Sequence, residues 1–256
     1  MPRAATPPVL DRGIAASKPR ARSSSILSNS ARSSRQPEDE FERRFLALIR
    51  LNDLVLDAGC GSGKFSPERS ISSPAFHLVG FDNFAAVQKN TRVDFRSAGD
   101  VNHLPFADRA FDAVYARWLI EHLEDPATTL REFHRVMKPG GHLALFTTNL
   151  QHYYGVAARF TPHWFHTCFN RRRGFLEGDI FPTYYRANTR RRCERLLLEA
   201  GFKHENIKIE LAEGAPAVLA FNSALHSLGR AYEYMVNRFE SLSSFRLNLI
   251  IIARKE

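Results

Sequence analysis

The stretch Val55-Leu56-Asp57-Ala58-Gly59-Cys60-Gly61-Ser62-Gly63-Lys64 decides how this 256-residue chain is read. A short apolar run that breaks into three alternate glycines is a strand feeding a tight turn. With no Cβ at Gly59, Gly61 or Gly63, the backbone can bend sharply and a nucleotide-like ligand can lie directly on main-chain N–H groups. Lys64 stands where a dinucleotide fingerprint carries its third glycine, and Asp57 precedes the glycines instead of following them. The phosphate-loop pattern GxxxxGK[ST] does not occur. Taken alone, the motif also fits a glycine-rich turn that holds nothing.

Outward from this loop, strand-like runs alternate with helical or loop segments. Leu54–Asp57, His77–Asp82, Val93–Phe95, Phe111–Tyr115 and His142–Thr147 are short, apolar and bounded by Gly, Pro, Asp or Asn. Helical spacing of Phe41, Phe45, Leu48 and Ile49 predicts an amphipathic helix from about Glu38, ahead of the first strand. A second runs from about Pro126 to Met137 and stops at Lys138-Pro139-Gly140-Gly141. Ala85–Asn90 reads as a short helix, and Phe65–Pro74, with two prolines and four serines, as one broken soon after Ser66 caps it. Such alternation predicts an α/β fold, a doubly wound and mostly parallel sheet with crossover helices. Further on come a helix at about Asn188–Ala200, a strand at Ile207–Leu211, a helix-length segment from Pro216 to about Ser241 and a last strand at Phe245–Ala253. Two stretches, about 150–188 and 214–242, read as insertions that cap the sheet; the first is crowded with aromatic residues.

Charge is unevenly spread. Of the net +9, residues 1–37 contribute +6, from seven basic groups against Asp11. That segment is also rich in Pro and Ser and reads as a disordered basic tail ahead of a domain spanning 38–256. Its composition overlaps with organelle transit peptides but lacks the apolar stretch of a secretory signal. The longest apolar runs, such as Leu249–Ala253, fall far short of the roughly 20 residues of a membrane span. Three scattered cysteines, Cys60, Cys168 and Cys193, make no disulfide framework, so a cytoplasmic protein is expected.

Asp82 ends the second strand, nineteen residues after Gly63, where a carboxylate accepts the two hydroxyls of a ribose. Together with the loop it favours an adenosine ligand. At this point the chain resembles the class I S-adenosylmethionine-dependent methyltransferases, in the small-molecule branch typified by the quinone-biosynthesis enzymes. Motifs over roughly residues 40–150 carry the likeness, in the family order. The resemblance implies a Rossmann-like sheet of seven strands with the last antiparallel, and S-adenosylmethionine as cofactor. It implies a cofactor site of Asp57, Gly59, Cys60, Gly61 and Gly63 in the loop and of Asp82 and Asn83 after the second strand. Asp100 and Val101, in Gly99-Asp100-Val101, complete it beside the adenine. Phe111-Asp112-Ala113-Val114 with Glu121-His122-Leu123 is similar to the family's fourth strand and the turn after it.

A sulfonium methyl is already activated, so such an enzyme mainly holds a nucleophile in line and excludes water. His122, just beyond the fourth strand, is the candidate base if the acceptor is a hydroxyl or an ammonium; the alternative is a histidine bracing the turn. Arg117, and Tyr184, Tyr185 and Arg186 within Pro182–Thr189, are candidates to line the acceptor site; the alternative reading of that stretch is that Asn188 or Thr189 caps the next helix. His152, His163, His166 and Cys168 match no common zinc spacing, so no metal is expected. The expected acceptor is a small or lipid-like molecule. Arg171–Arg173 and Arg190–Arg192 beside aromatics are compatible with peripheral contact with an anionic membrane, and RNA ranks below it because no RNA-binding module is present. A nicotinamide-dependent oxidoreductase and a non-catalytic, cofactor-binding scaffold are the competing functions.

Overall fold

The computed structural model describes residues 36–67, 75–153, 155–156, 182–214 and 223–256. Residues 1–35 of the expected basic tail, residues 68–74 of the proline-broken segment and most of the first cap lie outside the described residues. The elements are α1 (Pro37–Leu46), β1 (Leu54–Ala58), β2 (His77–Asp82), α2 (Phe84–Val87), β3 (Phe95–Ala98), β4 (Phe111–Arg117), α3 (Pro126–Val136), β5 (Met137–Thr148), α4 (Arg190–Glu199), β6 (Ile207–Ala212), α5 (Ser223–Arg238) and β7 (Asn248–Arg254). Seven strands form one sheet in the order β3-β2-β1-β4-β5-β7-β6. β1 pairs in parallel with both β2 and β4, and β7 runs antiparallel to β5 and to β6. The last strand is therefore the reversed one, as the resemblance implied.

The two sheet faces carry separate cores. On one, Leu130, Phe133 and Val136 of α3 and Cys193, Leu196 and Leu197 of α4 pack on Leu56, Val114 and Leu145. On the other, Phe41 and Phe45 of α1 meet Tyr115 and Phe146, with ring centroids 4.8–5.2 Å apart. Both phenylalanines are completely buried, each contributing about 2–3 kcal/mol of transfer free energy. Caps fix the helix starts: Asp125 accepts from the Thr128 N–H at 3.1 Å ahead of Pro126, and Thr189 accepts from the Arg192 N–H at 3.3 Å. Thr189, not Asn188, thus caps α4.

Several boundaries differ from expectation, each for a local reason. α1 starts at Pro37, a buried residue inside the stretch assigned to the tail. β3 lies at Phe95–Ala98, not Val93–Phe95, because Asp94 exchanges two hydrogen bonds with the Leu78 backbone before the ladder begins and Val93 packs against Gly80. Lys138–Gly141 is an irregular part of β5: Phe111 pairs with Met137 and Ala113 with His142, so the extra residues bulge. Gly140, at φ 80°, permits that bend. β7 begins at Asn248 because Glu240–Phe245 forms a 3₁₀ turn. Asp112 ties this end of the sheet together, accepting from the Leu54 N–H and from Lys138 Nζ at 2.7–2.9 Å.

Candidate functional site

At the carboxyl ends of β1 and β2, the glycine loop closes on itself and on the neighbouring strand. Gly59 donates to the Phe81 carbonyl at 2.8 Å and Gly63 to the Cys60 carbonyl at 3.0 Å. Gly59, Gly61 and Gly63 all have positive φ (74°, 51° and 93°), which side-chain-bearing residues adopt at a cost. Their surroundings differ. A Cβ at Gly59 would meet Leu119 Cδ1 at 2.9 Å and one at Gly63 would meet Asn90 Oδ1 at 2.5 Å, whereas one at Gly61 would meet nothing within 4 Å. Two glycines therefore serve packing, and the middle one faces open space at the sheet edge.

Asp82 accepts from the Gly61 N–H at 2.7 Å and from the Asn83 N–H at 2.6 Å, so its carboxylate joins the loop to the second strand. Asn83 caps α2 through the Ala86 N–H at 3.1 Å. Asp57 is 2% exposed; one of its carboxylate oxygens, Oδ2, is buried without a hydrogen-bond partner. Burial chiefly, with the nearby Asp82 charge adding to it and the Ser66 hydroxyl opposing it, pushes its pKa up to about 7. Ser66 thus serves Asp57, and it also accepts from buried Asn90 at 3.2 Å. Cys60 packs against Gly80, and burial raises its thiol pKa to about 12, which makes it an inert part of the turn. Asp100 accepts from the Asn102 N–H at 2.9 Å in the turn after β3, followed by Val101.

The turn after β4 forms the opposite wall. Trp118 holds φ 57°, a strained value for a bulky residue, and hydrogen-bonds the Phe146 carbonyl. Leu119 next to it covers Gly59. Glu121 is buried and accepts from Thr147 Oγ1 at 2.8 Å; Asn188 donates to that hydroxyl at 2.8 Å and to the Thr148 carbonyl at 2.9 Å. Burial raises the pKa of Glu121.

Residues 182–188 lie against this turn. Tyr184 and Tyr185 N–H groups both donate to the Glu121 carbonyl, His122 Nδ1 is 2.7 Å from the Pro182 carbonyl, and the Tyr184 hydroxyl is 2.5 Å from Glu124 Oε1. Arg186 donates to the Glu124 carbonyl at 2.7 Å. Of the acceptor-site candidates, Tyr184, Tyr185 and Arg186 are therefore gathered with His122 at one place, engaged with the turn. Arg117 stands apart, at the end of β4, its guanidinium 5.3 Å from the Phe65 ring centre and 5.8 Å from that of Phe146. Asn90, Leu119 and Thr147 are site-building residues without a motif in the sequence, and Ser66 and Asn188, read there as caps, build the site as well. Of the histidine–cysteine group, His152 is buried 3.5 Å from Glu213, and His163, His166 and Cys168 lie outside the described residues.

A closed glycine turn, an orphaned buried carboxylate oxygen beside it and open space above Gly61 fit the methionine and ribose ends of S-adenosylmethionine. Comparison with known proteins agrees. Residues 56–145 match the family model described as "Methyltransferase domain". The chain is 37% identical over 92 residues to a malonyl-[acyl-carrier protein] O-methyltransferase of Dechloromonas aromatica, covering 36% of this chain and 35% of that protein. It is 32% identical over 121 residues to a ubiquinone/menaquinone biosynthesis C-methyltransferase of Desulfotalea psychrophila, covering 43% and 49%. The chain thus spans less than half the length of the curated relatives it matches. In fold it is similar to a phosphoethanolamine N-methyltransferase 2 of Haemonchus contortus in complex with S-adenosyl-L-methionine, with TM-score 0.52, 16% identity and coverage of 85% of this chain and 53% of that one.

Proposed function

We propose that this chain, which carries a class I methyltransferase domain, transfers a methyl group from S-adenosylmethionine to a small acceptor. The observation that carries the reading is the loop itself: Gly61 faces open space while its N–H is held by Asp82, the residue placed to take a ribose. S-adenosylmethionine, when bound, supplies a methyl already activated by the sulfonium. The chain's own work is then to bind, orient and exclude water. Gly59, Cys60, Gly61 and Gly63 present the backbone, Asp82 and Asn83 take the ribose, Asp100 and Val101 border the adenine, and Asp57 faces the α-ammonium. Leu119 shields the loop, and the Glu121–Thr147–Asn188 chain holds that shield in place. His122 acts by position: its ring carries the Nδ1 proton that the Pro182 carbonyl accepts, fixing Tyr184, Tyr185 and Arg186 beside the turn.

The acceptor side of the site is the post-β4 turn with residues 182–188 against it. A lipid-like acceptor and peripheral membrane contact are supported by α5, which exposes Leu228, Tyr234 and Met235, with Phe239 just beyond its end and Arg238 5.8 Å from that ring. No helix among the described residues is long and apolar enough to cross a membrane.

The deciding experiment is calorimetry of the purified protein with S-adenosylmethionine, S-adenosylhomocysteine and NADH, repeated on Asp82→Ala. Binding of the two sulfur ligands alone, weakened at least tenfold in a folded Asp82→Ala protein, is expected. NADH binding in their place would assign the site to an oxidoreductase. Cofactor binding with no turnover over a broad acceptor panel would assign the protein to a scaffold role.

A further inference from the structure

We infer that Arg117 is a cofactor-selecting residue, which clamps the α-carboxylate of the bound amino-acid head while Asp57 takes its α-ammonium. The inference rests on the proposed use of S-adenosylmethionine and assigns Arg117 to the cofactor side of the site rather than to the acceptor.

Register places the two groups. Asp57 of β1 is paired with Tyr115 of β4, and Arg117 follows Tyr115 by two residues, so its side chain rises from the same sheet face one step nearer the carboxyl edge. A strand spacing of about 4.8 Å and a two-residue rise of about 6.6 Å put the Asp57 and Arg117 backbones about 8 Å apart. Arg117 is also level with the start of the glycine turn. Tyr115 bridges the two and reaches the segment after the loop, its hydroxyl 3.3 Å from the Phe65 carbonyl.

Both side chains are incompletely satisfied, with opposite signs. Asp57 Oδ2 and Arg117 Nε are buried and neither has a hydrogen-bond partner. Among the described residues no carboxylate pairs with Arg117; its guanidinium lies near Phe65, Phe146 and the Tyr115 hydroxyl, which leave Nε unmet. Burying a donor of a charged group unpaired is costly, and rings satisfy its face but not its N–H edge. One ligand that carries an ammonium and a carboxylate on the same carbon answers both needs at once. A neutral acceptor answers neither, and an anionic acceptor would leave Asp57 as it is. The direction also agrees: Asp82 and Asp100 set the adenosine end on the β2–β3 side, so the other end of the ligand runs across β1 toward β4.

The test is calorimetry on the full chain with three probes: S-adenosylhomocysteine, its decarboxylated analogue S-adenosyl-3-thiopropylamine, and 5′-methylthioadenosine, which lacks the whole head. The wild type should prefer S-adenosylhomocysteine over the decarboxylated analogue by about 10- to 100-fold, the range for a charge-assisted hydrogen bond. Arg117→Met should abolish that preference and leave the other two probes unchanged, and Arg117→Lys should restore part of it. Equal wild-type affinity for the first two probes would overturn the clamp, and this needs no variant to fold. So would an Arg117→Met protein that binds all three as the wild type does, which would return Arg117 to the acceptor, or one that loses all three equally, which would make it a support of the loop. A wild type that binds none of the probes would instead overturn the cofactor assignment itself, and the clamp with it.

Discussion

Alanine at Gly63 and at Gly61 should damage the protein in opposite ways, because only one of these glycines is packed. At Gly63, φ 93° is unfavourable for any L-residue, costing about 1–2 kcal/mol. The new methyl would also start 2.5 Å from Asn90 Oδ1, a fully buried side chain that donates to Ser66 at 3.2 Å and to the Cys60 carbonyl at 3.4 Å. Displacing Asn90 breaks that pair of contacts and adds about 1–2 kcal/mol. Gly63→Ala should therefore lose about 2–4 kcal/mol of stability, a fall in Tm of about 5–15 °C for a domain of this size. At Gly61, φ 51° costs about 1 kcal/mol and the methyl meets nothing, so Gly61→Ala should unfold within a few degrees of the wild type. Its methyl, however, fills the space in which the cofactor is proposed to lie, and S-adenosylhomocysteine affinity should drop at least tenfold. Thermal denaturation and calorimetry on the two variants side by side measure both quantities. A Gly61→Ala protein that binds like the wild type, or a Gly63→Ala protein no less stable than Gly61→Ala, would refute the division of labour among the glycines.

Asp57→Asn is expected to stabilise the unliganded protein and weaken the cofactor. The folded pKa of Asp57, near 7, lies above the unfolded one, so the folded state holds the extra proton and wild-type stability falls as pH rises from about 4 to 7. The variant should gain up to about 4 kcal/mol above pH 7 and nothing below pH 4; urea titrations showing no such pH-dependent gain would count against a buried, ionised Asp57. Thr147→Val keeps the volume but strands Glu121 and Asn188 in a buried site, and should cost about 2–4 kcal/mol in denaturant; a change below about 0.5 kcal/mol would show that the network is not structural. His122→Ala should lose about 1 kcal/mol, speed hydrogen exchange at the Tyr184 and Tyr185 amides and leave S-adenosylhomocysteine affinity within twofold. Unchanged exchange with a collapse of turnover would instead mark His122 as the base.

The parts of the site that could be read in the sequence are those whose chemistry is local. Three alternate glycines after an apolar run, and an acid closing the next run, need only their neighbours to make sense, and the structure brings Gly61 and Asp82 into contact. The strand count and the reversal of β7 came from likeness to a family, since no periodicity distinguishes Leu249–Ile252 as antiparallel. What stayed hidden depends on pairings remote along the chain. Asn90 matters because Gly63 leaves no room for a Cβ beside it, and Ser66 because Asp57 needs a donor. Thr147 and Asn188 are ordinary polar residues until the fold sets them around a buried Glu121. The misplaced start of β3 has the same origin: Asp94 spends its hydrogen bonds on the Leu78 backbone, a partner sixteen residues away.

The two acids of the loop are of like sign and sit close enough for Asp82 to raise the pKa of Asp57, an arrangement that a fold selected for stability alone would avoid. Asp82 is compensated by two backbone N–H groups, whereas Asp57 has the Ser66 hydroxyl nearby and no partner on Oδ2. Neutralising Asp57 by protonation relieves the repulsion in the free protein but removes the negative charge that an ammonium would pair with. A cationic ligand relieves it without a proton, so binding of an α-ammonium should displace one. Affinity should then rise with pH up to the pKa of Asp57 near 7, and calorimetry in buffers of different ionisation enthalpy at pH 6 should show net proton release. No linked proton at pH 6 would mean that the carboxylate is already ionised before the ligand arrives, and that the raised pKa is mistaken.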